Sequence, residues 1–191
     1  MDRVVRGTRA RIASVVDKLA QGQITELEFA DHIGALLGDR HARAAVLGRQ
    51  RAGDSGGRDR DDDVFGAIVA EGEIQFLLRF SQQIADGKYR DANGVLDAAK
   101  VARRAESYAE RLTGTANETF GLVSPGLLYW RLGPVKEEHC YDCPDLAMSS
   151  PWTAADIPTY PHKNETECLY QCKCHIERAD GLAGFSATAR E

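Results

Sequence analysis

Apolar residues in the first 120 positions recur at helical spacing, and beyond Gly121 that period is lost. Ile12, Val15, Val16 and Leu19 fall at i, i+3, i+4 and i+7, which predicts a helix over 2–21 ended by Gly22. A second helix is predicted over 25–47. Thr25 and Glu28 form a T-x-x-E capping box at its start, with Ile24 and Phe29 placed as the hydrophobic staple. Phe29, Ile33, Leu36 and Leu37 continue its stripe through Ala44 and Leu47. Two such helices with a short loop between them make an antiparallel hairpin, 1–47. Residues 48–62 are Gly, Arg and Asp with almost nothing apolar, a composition expected to form a flexible linker.

The helical period resumes over 63–120. Phe65, Ile68, Val69, Phe76, Leu77, Phe80 and Ile84 are expected to line the buried side of a helix from about Asp63 to Asp86, with Gly87 as its stop. Val101, Ala105, Tyr108 and Leu112 mark a further helix that starts after Asn93-Gly94 and reaches Leu112 or Phe120. From 121 the chain reads differently. Leu127–Leu132 is a short aromatic run between Pro125-Gly126 and Gly133-Pro134, which predicts a strand. Pro144, Pro151, Pro158 and Pro161 then preclude long helices. The expected class is mainly α: an N-terminal helical region, then a small α+β module over 121–178 and a tail over 179–191.

Composition narrows the function. Aromatics are only 7% of the chain, so the helical core rests on Ala, Leu, Val and Ile. The net charge of −5 argues against a general nucleic-acid coat, and residues 121–191 hold 10 acidic residues against 6 basic. Positive charge is concentrated at the front, in Arg3, Arg6, Arg9 and Arg11. A solvated helix face is the simpler reading of these four, contact with DNA the sharper one. No apolar run approaches the ~20 residues that span a bilayer, so no membrane association is expected. No apolar h-region follows the N-terminal arginines, and a reducing cytoplasm is the expected folding compartment.

The candidate chemistry lies in the cysteines. All five, Cys140, Cys143, Cys168, Cys172 and Cys174, fall within 35 positions, flanked by His139 and His175. The pattern is H-C-x2-C, 24 residues, then C-x3-C-x-C-H. A C-x2-C turn aims two thiolates at one point, and a second group returning after a loop completes a tetrahedral zinc site with Zn–S near 2.3 Å. Cys140, Cys143 and Cys172 are the first choices as ligands, and Cys168, Cys174 or His175 supplies the fourth. His139 adjoins Cys140, so its side chain is expected to diverge. An odd cysteine count and the expected reducing compartment disfavour a disulfide framework. The run His175-Ile176-Glu177 matches the H-x-E of zinc deaminases, but there it precedes the cysteine pair and here it follows. No H-E-x-x-H, G-x-S-x-G or P-loop occurs, and no enzyme is expected. Zinc is the expected cofactor, in a structural role.

Several segments together carry a resemblance. E-H-C-Y-D-C-P-D-L-A (138–147), S-P-W (150–152), I-P-T-Y-P (157–161) and T-E-C-L-Y-Q-C-K-C-H (166–175) resemble the C-terminal part of the head-morphogenesis family of tailed phages, which includes the phage Mu minor head protein. The helical segment Y-A-E-R-L-T-G-T-A-N-E-T-F (108–120) is similar to the helical part of such proteins. The resemblance covers about 108–175, weakens over 64–107 and is absent before that. It implies a virion component of few copies near the portal vertex, made in the host cytoplasm and needed for head assembly and sometimes DNA delivery. Its implied partners are the portal protein, the major capsid protein and, through Arg3, Arg6, Arg9 and Arg11, packaged DNA. It maps the family's cysteines onto Cys140, Cys143, Cys168, Cys172 and Cys174, and disfavours His175. The alternative is a zinc module that binds nucleic acid or regulates packaging, which needs a basic surface around the cysteines. Trp130, Trp152, Tyr160 and Tyr170 are expected as core or interface anchors.

Overall fold

A computed structural model describes residues 1–133, 140–163, 165–167 and 172–186. Five helices form the first two-thirds: α1 (Asp2–Ala20), α2 (Glu26–Ala52), α3 (Arg60–Ala85), α4 (Ala98–Glu110) and α5 (Leu112–Val123). The stripe Val5, Ile12, Val16 and Leu19 buries α1 against α2 and α4. The capping box of α2 is formed. Thr25 Oγ1 accepts the Glu28 N–H at 3.2 Å, and the Glu28 carboxylate accepts the Thr25 N–H at 2.7 Å. Ile24 packs on the same core as Phe29, completing the staple.

The segment 48–62 is not one linker. Residues 48–52 extend α2, residues 60–62 open α3, and only 53–59 remain between the helices. Charge pairing replaces apolar burial here. Gly53 closes α2 in the left-handed region at φ 109°. Asp59 and Asp62 form a second reciprocal capping box, with both N–H to carboxylate distances at 3.0 Å. Arg49 reaches across from α2 and donates to both Asp62 oxygens, at 2.9 and 2.6 Å. It also pairs with Asp54, while Arg58 joins Asp39 and Asp63. The aspartates and arginines that argued for disorder tie α2 to α3.

α2 is the central helix, packed on α3 along one side and on α5 along another. Both crossings use glycine to bring backbones together. A Cβ on Gly66 of α3 would lie 2.5 Å from the Ala42 nitrogen, and one on Gly48 of α2 would lie 2.4 Å from the Ala116 carbonyl oxygen of α5. The Gly66 crossing sets which side of α3 is buried: Gly66, Ala70, Leu77, Phe80 and Ile84. Ile68 and Phe76, expected in the core, face outward at 61% and 49% exposure. The expected single helix after Asn93-Gly94 is two, broken at Arg111.

The C-terminal module is built on an antiparallel pair, β1 (Leu128–Arg131) and β2 (His175–Arg178), in the register Leu128↔Arg178 to Arg131↔His175. A short helix, α6 (Asp142–Ser149), packs on β1. The chain is thus mainly helical with a small α+β C-terminal module. Its apolar cluster includes Leu128, Trp130, Tyr160 and Ile176, together with Phe120 from α5. Trp152 packs at the edge of this cluster, and Tyr170 lies outside the described residues. Arg178 donates to the Ala52 carbonyl at 2.9 Å, and Asn117 exchanges two hydrogen bonds with the Phe185 backbone. The module therefore rests on the ends of α2 and α5 and borrows part of its core from them.

Candidate metal centre

Three local structures deliver the thiols. Cys140 precedes α6 and Cys143 lies in its first turn, where the helix dipole favours a thiolate. Cys172 and Cys174 lie on the segment leading into β2. The C-x-C spacing puts both on one side of an extended chain. Glu167 joins these parts to the 165–167 segment. Its carboxylate accepts the Tyr141 N–H at 2.8 Å, and its own N–H donates to Asp142 at 2.6 Å.

The Sγ atoms of Cys143, Cys172 and Cys174 all lie within 4.8 Å of one another, and all three residues are buried. Cys143 and Cys172 are 3.8 Å apart. Ligands held ~2.3 Å from a tetrahedral zinc stand about 3.8 Å from one another, so this pair already spans one edge of such a site. Cys140 Sγ, half-buried, is 3.1 Å from Cys143 Sγ. The group of potential ligands found among the described residues is made of sulfur alone.

The surroundings favour anionic sulfur. Hydrogen bonds from Cys143 and Cys172 hold the Cys174 thiol far below its ordinary value against the opposing effect of burial; the Gly133 backbone N–H and Trp130 contribute further. Trp130 is 1% exposed, and its indole nitrogen has no oxygen or nitrogen partner among the described residues. Gly133 lies beyond the paired strands against Lys173, and a Cβ there would fall 1.9 Å from the Lys173 carbonyl oxygen. Only glycine lets this backbone run close enough to aim its N–H at the cluster.

Strand alternation sorts the remaining candidates. Cys174 and Ile176 point inward, whereas His175 and Glu177 share the outer face. The Glu177 carboxylate pairs with Arg131 at 2.9 Å and lies 4.0 Å from His175. His175, weighed as a fourth ligand, is therefore turned away from the thiols. His139 and Cys168 lie outside the described residues. The sequence pattern pointed to the cysteines but not to Trp130 or Gly133. Both are legible only once β1 is paired with β2, because Gly133-Pro134 reads by itself as the end of a strand.

The N-terminal arginines do not act as one group. Arg9 is half-buried and paired with Glu110 of α4 at 3.0 Å, while Arg3, Arg6 and Arg11 are exposed. No helix among the described residues is long and apolar enough to cross a membrane. Comparison of the chain with protein-family models, curated proteins and solved structures finds no match.

Proposed function

We propose that this chain is a structural protein whose C-terminal module is stapled by one zinc ion on Cys140, Cys143, Cys172 and Cys174, and that it serves as a minor head component of a tailed-phage virion near the portal vertex. The observation that carries the staple is the convergence of three buried thiols from two distant segments, with Cys140 beside them. Four sulfurs fill a tetrahedron and leave no position for water, the arrangement of a structural site rather than a catalytic one. Three nearby carboxylates among the described residues have other duties. Asp142 and Glu167 hold backbone N–H groups, and Glu177 holds Arg131. Cys168 is then left over, outside the ligand set.

The virion reading rests on the resemblance of residues 108–175 to head-morphogenesis proteins. In this reading the helical region docks on portal or capsid subunits, and the metal fixes the module as a rigid knob on the ends of α2 and α5. Any contact with packaged DNA falls to Arg3, Arg6 and Arg11, since Arg9 is engaged by Glu110. Two measurements test the proposal. Native mass spectrometry of protein purified without chelator is expected to give one zinc per chain; a metal-free chain would overturn the staple. Mass spectrometry of purified phage particles is expected to find the chain at a few copies per head, and its absence from intact particles would end the virion reading.

A further inference from the structure

Three arginines converge on one carboxylate beside an apolar cavity. The Asp39 carboxylate lies 2.6 Å from Arg58 Nη1, 3.1 Å from Arg43 Nε and 3.8 Å from Arg40 Nε. Arg58 also holds Asp63. Arg40 is the unusual member. It is 7% exposed, and its Nε is buried without a hydrogen-bond partner among the described residues. Burial first, then repulsion from Arg11 and Arg43, holds its guanidinium below the ordinary arginine value, and Asp39 offsets this only in part. A buried cation with two like charges and one shared carboxylate around it is costly, and an anion from outside the chain relieves it. The cavity, about 340 Å³, is lined by Val4 of α1, by Arg43, Val46 and Leu47 of α2, and by Arg58 of the connection to α3. Leu47, Arg43 and Arg40 follow one another at i, i−4 and i−7 along one side of α2, so the apolar floor and the guanidiniums are adjacent.

We propose that this corner between α1, α2 and the connection to α3 binds an acidic segment of a partner protein, with one bulky apolar side chain in the cavity and neighbouring carboxylates on Arg43 and Arg40. Charge complementarity selects the partner. Guanidinium forks take carboxylates in a planar, two-point fashion, and Arg43 is 53% exposed at the edge of the cavity. The cavity is at the small end of ligand pockets, which run from ~300 to 1,000 Å³, so it suits a single side chain better than a large cofactor. A nucleic-acid strand fits less well. Its phosphates would leave Val4, Val46 and Leu47 without a contact and would meet Asp39 and Asp63, the carboxylates that already hold Arg58. Portal or capsid subunits are the partners of the virion reading, but the chemistry of the corner does not depend on that reading.

Isothermal titration of the full chain with three blocked pentapeptides is the test. EEFEE carries both charge and an apolar anchor, EEAEE only the charge, and QQFQQ only the anchor. EEFEE is expected to bind roughly tenfold or more tightly than either of the others, the scale of one charge-assisted hydrogen bond. Equal affinities, or no binding of EEFEE, would overturn the proposal. Arg40→Met separates binding from structure. It removes a buried charge and fills its place with apolar volume, so the melting temperature is expected to rise while EEFEE binding weakens roughly tenfold or more. Unchanged affinity, or a lower melting temperature, would overturn the proposal. Val46→Glu, checked for folding by far-UV circular dichroism, puts a carboxylate in the cavity and is expected to block EEFEE as well; binding that survives it would place the peptide elsewhere. Oligothymidylate that binds more tightly than EEFEE, and is lost on Arg40→Met, would assign the corner to nucleic acid instead.

Discussion

Replacing Gly48 by alanine sets two effects of opposite sign against each other, and the structure decides which wins. In an exposed helix interior the change is favourable by about 1 kcal/mol, because alanine loses less backbone freedom on folding. Gly48, however, sits where α2 crosses α5. An added Cβ would lie 2.0 Å from Thr119 Oγ1, 2.4 Å from the Ala116 carbonyl oxygen and 2.9 Å from the Phe120 nitrogen. The threonine can rotate away, but it then gives up its hydrogen bond to the Ala45 carbonyl at 3.1 Å, at a cost of about 1 kcal/mol. The other two contacts are backbone, so α5 itself must move by about 1 Å, and overpacking of this kind costs roughly 1–3 kcal/mol. The sum is a net loss of about 1–3 kcal/mol. In a chain of this length that lowers the melting temperature by roughly 2–12 °C. Urea unfolding of the protein, followed at 222 nm, should show a lower midpoint with an unchanged slope. Gly7→Ala in α1 is the control: no atom lies within 4 Å of its added Cβ, and stabilisation is expected. A Gly48→Ala chain as stable as the wild type would mean that α2 and α5 do not approach so closely, and the reasoning would fail.

Three further outcomes follow from the same packing. Cys143→Ser, or chelation, should unfold the C-terminal module and quench the near-ultraviolet signal of Trp130, because folding and metal binding are one equilibrium in small zinc modules; a protease-resistant tail would contradict this. Burial pushes the Asp62 carboxyl up, but hydrogen bonds from Arg49 and from the Asp59 backbone outweigh it, so the folded-state pKa lies below 3.8. Asp62 therefore adds stability above the unfolded value that is lost as pH falls through the folded one, and Arg49→Gln should flatten the acid limb of stability below pH ~4; an unaltered limb would refute the assignment. The Tyr160 hydroxyl is buried without a partner among the described residues, and burial pushes its pKa up to about 12. Tyr160→Phe should stabilise the protein by about 1 kcal/mol in thermal melts, and a loss of that size would reveal a partner for the hydroxyl.

What was legible in the sequence is what repeats locally. The stripe of α1 and the capping box at Thr25 depend on residues three or four apart, and both formed as read. The C-x2-C and C-x-C spacings likewise pointed to a shared centre, because each pair fixes its own local geometry. The failures came where partners are distant. Nothing near Arg49 in sequence announces that its guanidinium will hold Asp62, so a polar stretch was read as a flexible linker. The apolar pattern of α3 is broad enough to present two sides. The choice between them was made by Gly66 meeting Gly38 and Ala42 on another helix. Periodicity identifies the apolar positions but not which of them find a neighbour.

The C-terminal module and the helical region are more closely joined than their sequences suggest. Composition changes at Gly121, yet α5 continues to Val123 and Phe120 is fully buried in the module's own cluster. The module's two strands are only four residues each, too short to hold a sheet in water without support. Support comes from two sides: the thiol cluster under β2, and the ends of α2 and α5. Gly121 is part of that support, since a Cβ there would fall 2.3 Å from the Tyr160 ring. Loss of the metal should therefore lower the cooperativity of the helical region as well as release the tail, because Phe120 and the Asn117 side chain lose their partners together. A metal held by the thiols at this junction would fix the orientation of the module on the helices. That property suits a part that must present one rigid surface to an assembly.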